Sequence, residues 1–172
     1  MIEIGESFVG EGPEAAHLNT MLGDVEGPVG QAWATALATP RQGHAAFVVV
    51  ARPNVPVKPM TLFVNKATIA SDGHGDLTWG AAQLGVASGV LDAVADGTIS
   101  AEAADRSVLI AAVWVDPAAT DADLVYTNNR QATAEALRNG SARLPALADV
   151  LAVRETPING YYVPASLRPD EP

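Results

Sequence analysis

The sequence has no cysteine among its 172 residues. Disulfide bonds, thiolate metal sites and a cysteine nucleophile are therefore excluded. Aromatic residues make up only 5% of the chain, whereas hydrophobic residues together make up 48%. We therefore expect a core of small side chains, mainly alanine and valine, with close contacts between helices and sheet.

Positive charge is also scarce, because 10 basic residues stand against 20 acidic ones and give a net charge of -10. Binding to nucleic acid requires a basic face, so neither a nucleic-acid partner nor an anionic membrane is expected. The uninterrupted apolar runs at residues 45–51 and 108–115 are too short to cross a bilayer. The first residues carry no basic region and no apolar signal core, which predicts a soluble cytoplasmic protein.

The alternation of strand-like and helix-like segments predicts an α/β fold in one domain, residues 1–172. The predicted architecture is a two-layer sandwich, in which a mixed sheet carries helices on one face and leaves the other face open for a ligand or a partner subunit. The core is expected to cover about residues 1–145, with a divergent C-terminal extension at 146–172 that ends in a frayed tail from Arg168.

Period and turn residues place the elements of this fold. Strands are predicted at residues 2–9, 15–22, 45–51, 61–69 and 108–115, and the 45–51 strand is expected to be central and buried on both faces. Helices are predicted to begin at Pro28, to run from a flexible loop at 72–76 to about residue 95, to follow a Ser100 cap, and to cover residues 127–139, with Gly140 left-handed at the end.

Two predicted strands each place a pair of polar side chains on one face. His17 and Asn19 alternate in one strand, and Lys66 and Thr68 alternate in another. If the two faces coincide, an imidazole, an amide, an ammonium and a hydroxyl form a pocket that suits proton transfer to a small polar substrate. The alternative is a solvated sheet face, with Lys66 as a charge that protects a sheet edge.

Each of these groups also has a specific chemical use. A histidine titrates near neutral pH and can deliver a proton to a departing hydroxide, although a lone histidine is more often a surface or core residue. The Lys66 ammonium could pair with a carboxylate or attack a carbonyl, whereas Lys58 lies between prolines and is expected at the surface.

Two further segments have a functional and an ordinary interpretation. Gln83 is predicted in the first turns of a helix, where small residues let a ligand approach free N–H groups, but it could also be an exposed helix residue. Asp72, His74 and Asp76 could hold a metal ion, although three solvated loop residues are the favoured interpretation.

Nine short segments match one known family in a single register. They are Gly5-Glu6, Val9-Gly10-Glu11-Gly12, Ala16-His17, Pro53-Asn54-Val55-Pro56, Lys58-Pro59, Thr61-Leu62, Asn65-Lys66-Ala67-Thr68-Ile69, Gly80-Ala81-Ala82-Gln83 and Gly85-Val86-Ala87. These segments resemble the formaldehyde-activating enzyme family. The match runs without gaps from about Gly5 to about Ala95, weakens through the last strand and helix, and is lost after Pro145.

The resemblance implies condensation of formaldehyde with tetrahydromethanopterin to methylene-tetrahydromethanopterin and water, with no metal. It also implies a left-handed βαβ sandwich and a homo-oligomer, a pentamer, that binds the pterin between subunits. By position, His17 would be the general acid. The pterin site would be lined by Asn19, Val48, Lys66, Thr68 and Gln83.

Two residues depart from the family pattern. Asn19 stands where aspartate is common, so it can form hydrogen bonds but has no carboxylate to pair with an amino group of the pterin. Leu84 stands where histidine is common, which removes a polar group beside Gln83. Both departures favour a second hypothesis, a non-catalytic relative that binds a pterin-like or aldehyde ligand as carrier, sensor or scavenger. His17 and Lys66 favour the enzyme.

Overall fold

The computed structural model describes residues 2–168. The strands are β1 (Ile2–Val9), β2 (Ala16–Asp24), β3 (Phe47–Val48), β4 (Val50–Arg52), β5 (Val55–Pro56), β6 (Met60–Asn65) and β7 (Ser107–Trp114). The α-helices are α1 (Pro28–Ala38), α2 (Asp72–Asp76), α3 (Gln83–Ala95), α4 (Ala101–Arg106), α5 (Ala122–Ala142) and α6 (Leu147–Ala152), with a π-helical stretch at Leu77–Ala82 between α2 and α3. Short 3-10 helices lie at Gly12–Glu14 and Ala165–Leu167.

Five strands form one mixed sheet in the order β1-β2-β7-β6-β3. All neighbouring pairs are antiparallel except β6 and β7, which run parallel. Strands β4 and β5 form a separate two-stranded ribbon. The predicted α/β sandwich with a mixed sheet is confirmed, while the left-handedness of its βαβ unit stays a prediction.

One face of the sheet carries the core, and the long helices α3 and α5 pack on it. Alternate residues of the central strands point into this layer, among them Leu18, Thr20 and Ala111, all of which are buried. Their partners on the other face alternate with them, as the period of a strand requires. The expected core of small side chains follows from the same pattern, since alanine and valine supply most of its members.

Glycine allows α5 to approach β1 very closely. A Cβ atom at Gly5 would overlap with the carbonyl oxygen of Ala136 on α5. Helices α3 and α5 meet in the same manner, because a Cβ at Gly85 would lie 2.6 Å from the carbonyl oxygen of Tyr126. These contacts bring the backbones closer than any side chain would permit.

The opposite face of the sheet is only partly covered. Helix α1 contacts β2 and β7 and lies over this face, where Ala36 of α1 and Val64 of β6 line one cavity. The segment around Ile158 and Tyr161 covers the β1–β2 end of the same face. Between α1 and this C-terminal segment, the side chains of His17 and Trp114 line a cavity.

Several predicted elements are confirmed closely. Strand β1 has the predicted bounds, β2 and β7 lie within a residue or two of them, and α1 begins at Pro28. The hydroxyl of Ser100 accepts a hydrogen bond from the Ala103 N–H at 3.2 Å and so caps α4 as expected. No helix in residues 2–168 is long and apolar enough to cross a membrane. The predicted tail falls almost entirely on residues 169–172, outside the described part of the chain.

The prediction of a buried central strand at 45–51 is wrong. Phe47 and Val48 form a two-residue strand at the edge of the sheet, and the Val49 N–H adds one hydrogen bond to the Thr61 carbonyl of β6 at 2.9 Å. The apolar run has another cause, since Phe47 stacks on Phe63 with ring centroids 5.2 Å apart and Val49 is fully buried. Apolar side chains therefore cover the end of the core here without extending the strand.

The predicted loop at 72–76 is also wrong, because these residues form helix α2 despite their two glycines. The Ser71 hydroxyl caps the helix by accepting from the His74 N–H at 3.1 Å. The His74 ring is buried, where its Nδ1 accepts from the Ala70 N–H and its Nε2 donates to the Val115 carbonyl. These contacts outweigh the low helix propensity of glycine.

The predicted helix end at Gly140 is wrong as well. Helix α5 continues to Ala142, and the left-handed residue is Arg143, with φ of 55°. Gly140 serves packing instead, because a Cβ there would lie 3.2 Å from the backbone N of Gly5.

Candidate active site

His17 projects from β2 on the sheet face opposite the core. Its Nε2 lies 3.1 Å from Oε1 of Glu6 on β1, and its ring lies 5.8 Å from that of Phe8 between centroids. The antiparallel register places Phe8 directly beside His17 and Glu6 beside Asn19. The imidazole is therefore held by a carboxylate and an aromatic ring while about a third of its side chain stays exposed (35%).

A cavity of about 370 Å³ borders His17 on one side and is also lined by Lys66, Trp114 and Tyr161. Lys66 follows the last residue of β6, but its backbone N–H still donates to the Val113 carbonyl at 2.8 Å. This bond extends the pairing with β7 by one step and keeps the Lys66 side chain on the His17 face. The Lys66 ammonium donates a hydrogen bond to Oδ1 of Asn19. The structure thus brings together three predicted residues, His17, Asn19 and Lys66.

A second cavity, of about 330 Å³, lies on the other side of His17. Glu6 and Phe8 of β1 line it together with residues 158–161 of the C-terminal segment. His17 and Tyr161 are the residues that the two cavities share. These two side chains therefore stand between the cavities, and a group bound in either one would reach the imidazole.

Tyr161 is held by aromatic and backbone contacts. Its ring meets Trp114 edge to face, with centroids 6.3 Å apart at 76°. The preceding Gly160 lies against the Phe8 ring so closely that a Cβ would come within 2.5 Å of Cζ. Partial burial and the nearby Asp116 carboxylate raise the pKa of Tyr161, so its hydroxyl stays protonated and uncharged at neutral pH.

Thr68 does not share a strand face with Lys66, because β6 ends at Asn65. The Asn65 side chain ends the strand by donating to the carbonyls of Gly43 and Ala67, at 2.8 and 2.7 Å. Thr68 then lies exposed beside His44, with its Oγ1 3.0 Å from the His44 Nε2. The expectation of a common strand face for Lys66 and Thr68 is therefore wrong, although Lys66 reaches the expected place.

Gln83 is buried, so it is neither an exposed helix residue nor a group at the start of a helix. Helical structure begins at Asp72 and continues through Gln83, so no free N–H groups of a helix start lie there. Its amide instead grips the backbone of Val50: the Val50 N–H donates to Oε1 at 2.9 Å, and Nε2 donates to the Val50 carbonyl at 3.2 Å. Gln83 therefore positions β4, two residues from Val48, and Leu84 beside it is exposed.

Residues 2–168 contain no group of three histidine or acidic side chains arranged to hold a metal ion. Asp72, His74 and Asp76 were the sequence candidates, and both ring nitrogens of His74 are engaged with backbone groups.

The sequence model of the formaldehyde-activating enzyme family matches residues 4–161. The chain belongs to this family. It is 39% identical over 153 residues to the 5,6,7,8-tetrahydromethanopterin hydro-lyase of Methanosarcina barkeri, covering 89% of this chain and 86% of that protein. It is 42% identical over 151 residues to the bifunctional enzyme Fae/Hps of Methanococcoides burtonii, which covers 88% of this chain but only 38% of the bifunctional protein.

In this member of the formaldehyde-activating enzyme family, sequence reasoning missed most residues that line the two cavities, and three of them show why. Glu6 could have been found, because alternation along β1 places it on the same face as Phe8. Trp114 was missed because it ends a continuous apolar strand, in which the sequence does not show which residues face His17. In the structure it pairs directly with His17. Tyr161 lies in a segment without periodicity, and no local signal connects it with the sheet.

Proposed function

We propose that this protein condenses formaldehyde with tetrahydromethanopterin to methylene-tetrahydromethanopterin and water, with His17 as the general acid. The observation that carries the proposal is the place of His17, which borders two cavities on the open face of the sheet. Membership of the formaldehyde-activating enzyme family supplies the reaction class. The relative from Methanosarcina barkeri is named for the same pterin.

The chemistry needs an acid at one step. An amine nitrogen of the pterin adds to the carbonyl carbon of formaldehyde and gives a carbinolamine. Its hydroxyl leaves as water only when a proton is supplied, and a positioned histidine can supply it. The second pterin nitrogen then closes the methylene bridge and loses its proton. Holding both reactants together contributes effective concentration, and the reaction as written needs no metal.

Glu6 and Lys66 prepare the site for this step. The Glu6 carboxylate accepts from the His17 ring at 3.1 Å and fixes its orientation. With one nitrogen held, the ring can present the other to the substrate hydroxyl. Lys66 is fixed in turn by Asn19 and adds positive charge to the cavity, where a polar or anionic part of the pterin would be held.

We propose that Asn19, Val48, Lys66, Thr68 and Gln83 contribute to the pterin site. In one chain, Lys66 lines the His17 cavity and is bonded to Asn19. By contrast, Val48 lies in the edge strand β3, Gln83 binds the backbone of Val50, and Thr68 lies beside His44. A pterin bound between subunits would use the two groups from different copies. For this reason we propose a homo-oligomer, a pentamer as in the resemblance, and we expect it to act in the cytoplasm.

The test is the condensation rate with formaldehyde and tetrahydromethanopterin, compared with the uncatalysed rate. His17→Ala and His17→Gln should each slow the catalysed reaction on the order of a hundredfold or more, because neither side chain can act as the acid. Pterin binding, measured separately at equilibrium, should change little in both variants.

Two outcomes would contradict the proposal. An unchanged rate in both His17 variants would remove His17 as the acid. No acceleration by the unmodified protein, with pterin binding intact, would instead favour the non-catalytic alternative, a pterin- or aldehyde-binding carrier, sensor or scavenger.

A further inference from the structure

Tyr161 presents an aromatic ring to the His17 cavity from outside the sheet. About two thirds of the residue is exposed (65%), although Trp114 packs against its edge. The backbone beside it is closely seated, since Gly160 lies on the Phe8 ring with no room for a Cβ. The Tyr161 ring is therefore exposed while its backbone is held in place. Such a ring is available to contact a ligand or another subunit.

The walls of the larger cavity indicate what that contact is. The ring planes of Trp114 and Tyr161 are inclined at 76° to each other and form an aromatic corner of the cavity. Lys66 and His17 are its other lining residues. A volume of about 370 Å³ falls in the range of small-molecule sites. Aromatic walls favour a flat conjugated ring, which stacks on them or meets their edges. Formaldehyde has a single carbon and gains little from such walls.

We propose that Trp114 and Tyr161 bind the ring system of the pterin and that Tyr161 determines specificity for it. This inference rests on the proposed function, since the pterin is the ring-bearing reactant there. The corner holds the ring at the side of the cavity next to His17. Formaldehyde meets the pterin ring in this cavity, since the two reactants form a bond, and the second cavity, lined by Glu6 and Asn159, stays free on the other side of the imidazole.

The contact uses the ring of Tyr161 and not its hydroxyl. The structure offers a matched control in the next residue, Tyr162, which is equally exposed (60%) but does not line either cavity. Three variants therefore separate the effects: Tyr161→Ala removes the ring, Tyr161→Phe removes only the hydroxyl, and Tyr162→Ala removes a neighbouring ring.

Binding can be read without turnover. The chain has three tryptophans, at positions 33, 79 and 114. Replacing Trp33 and Trp79 by phenylalanine leaves Trp114 as the fluorescent group at the cavity. Titration with tetrahydromethanopterin under anaerobic conditions, with no formaldehyde present, should quench this fluorescence and give the affinity of each variant.

In that background, Tyr161→Ala should weaken pterin binding about tenfold or more, as loss of an aromatic stacking partner does. Tyr161→Phe and Tyr162→Ala should stay within about twofold of the parent. With formaldehyde added, Tyr161→Ala should raise KM for the pterin while kcat and KM for formaldehyde change little, and thermal melting should match that of Tyr162→Ala.

The inference is overturned if Tyr161→Ala binds the pterin as tightly as Tyr162→Ala, or if it lowers only kcat. It is also overturned if Tyr161→Phe loses as much affinity as Tyr161→Ala. Failure of the proposed function has a different signature: the fluorescence titration would still respond to Tyr161→Ala, while no variant, the parent included, would accelerate condensation.

Discussion

The two lysines of the chain, Lys58 and Lys66, have different surroundings although only seven residues separate them. Lys58 pairs with Asp105 on the exposed side of α4. Lys66 lies at the His17 cavity, where its hydrogen bond to Asn19 holds the ammonium in place. The first is an exposed ion pair, which contributes little to stability, and the second is available to a ligand.

Lys66→Met should raise KM for the pterin roughly tenfold or more, because a hydrogen bond from a charged group contributes about 1.5–3 kcal/mol to binding. Folding should be preserved, since the Lys66 side chain is exposed. Lys58→Met is the matched control and should leave both kinetic constants unchanged. Steady-state kinetics with varied pterin checks this, and equal effects of the two variants would show that Lys66 acts only through general charge.

At the level of single residues, the sequence predicted best where alternation within a strand was enough. His17 and Asn19 share a face as their spacing requires, and Lys66 joins them. Gln83 could not be predicted, because its partner is a backbone group of Val50 brought near only by the fold. The prediction for Thr68 was wrong because the Asn65 side chain ends the strand by donating a hydrogen bond to the Gly43 carbonyl. No local pattern in the sequence shows this contact.

At the level of elements, α3 and α5 are joined through small residues. A Cβ at Gly89 would lie 2.6 Å from both the Arg130 carbonyl oxygen and the Thr133 Cβ. Because this contact involves backbone, Gly89→Ala must push the helices apart.

Gly89→Ala should lower the free energy of unfolding by about 1–3 kcal/mol, as overpacking of a core does. Gly80→Ala is the control, since a Cβ at Gly80 meets nothing within 4 Å. It should leave stability unchanged or raise it by about 0.5–1 kcal/mol, because alanine favours the helix. Urea unfolding of both variants measures the difference, and equal midpoints would show that the helices move apart without cost.

Elements with a strong period were predicted well, and those defined by tertiary contacts were not. β1, α1 and β7 could be located from their residues alone. Helix α2 depends on the burial of His74 between two backbone groups, which outweighs its glycines. The run at 45–51 looks like a central strand because it is apolar, but it lies at the sheet edge, where the buried Val49 makes one backbone hydrogen bond to Thr61 of β6 and another to Val57.

At the scale of the whole molecule, several large apolar side chains are exposed within residues 2–168. Trp79, Leu84 and Leu91 are each close to half exposed on the helical segment that carries Gln83. Large exposed apolar patches are typical of surfaces that a partner covers, and these three side chains are the candidates for such a patch. They support assembly of several copies, although the net charge of -10 opposes it at low ionic strength.

The pentamer proposed above predicts that light scattering gives a particle five times the 17.7 kDa mass of one chain. Added salt should strengthen the assembly, since it screens repulsion between acidic copies. A particle with the mass of a single chain at micromolar concentration would contradict the oligomer. It would also show that the two groups of proposed pterin residues cannot form one site.

The global arrangement of the site was the least predictable part. Tyr161 belongs to the extension that the sequence set apart from the core, yet it returns to β2 and borders the same cavities as His17. Such a return depends on the path of residues 115–160, and the part of this path that follows α5 carries no periodic signal. Sequence reasoning therefore placed His17 and Lys66 on one face but did not find the aromatic residues Trp114 and Tyr161 beside them.

The close contact between Gly5 and Ala136 prevents strand β1 from shifting along β2. A slip of one residue would bring Ile4 or Glu6 beneath α5, where no side chain fits. Strand β1 can therefore pair with β2 in only one register, the one in which Glu6 lies opposite Asn19 and Phe8 lies opposite His17. A residue with no side chain, on the far side of the sheet from the cavities, thereby fixes which carboxylate the histidine meets.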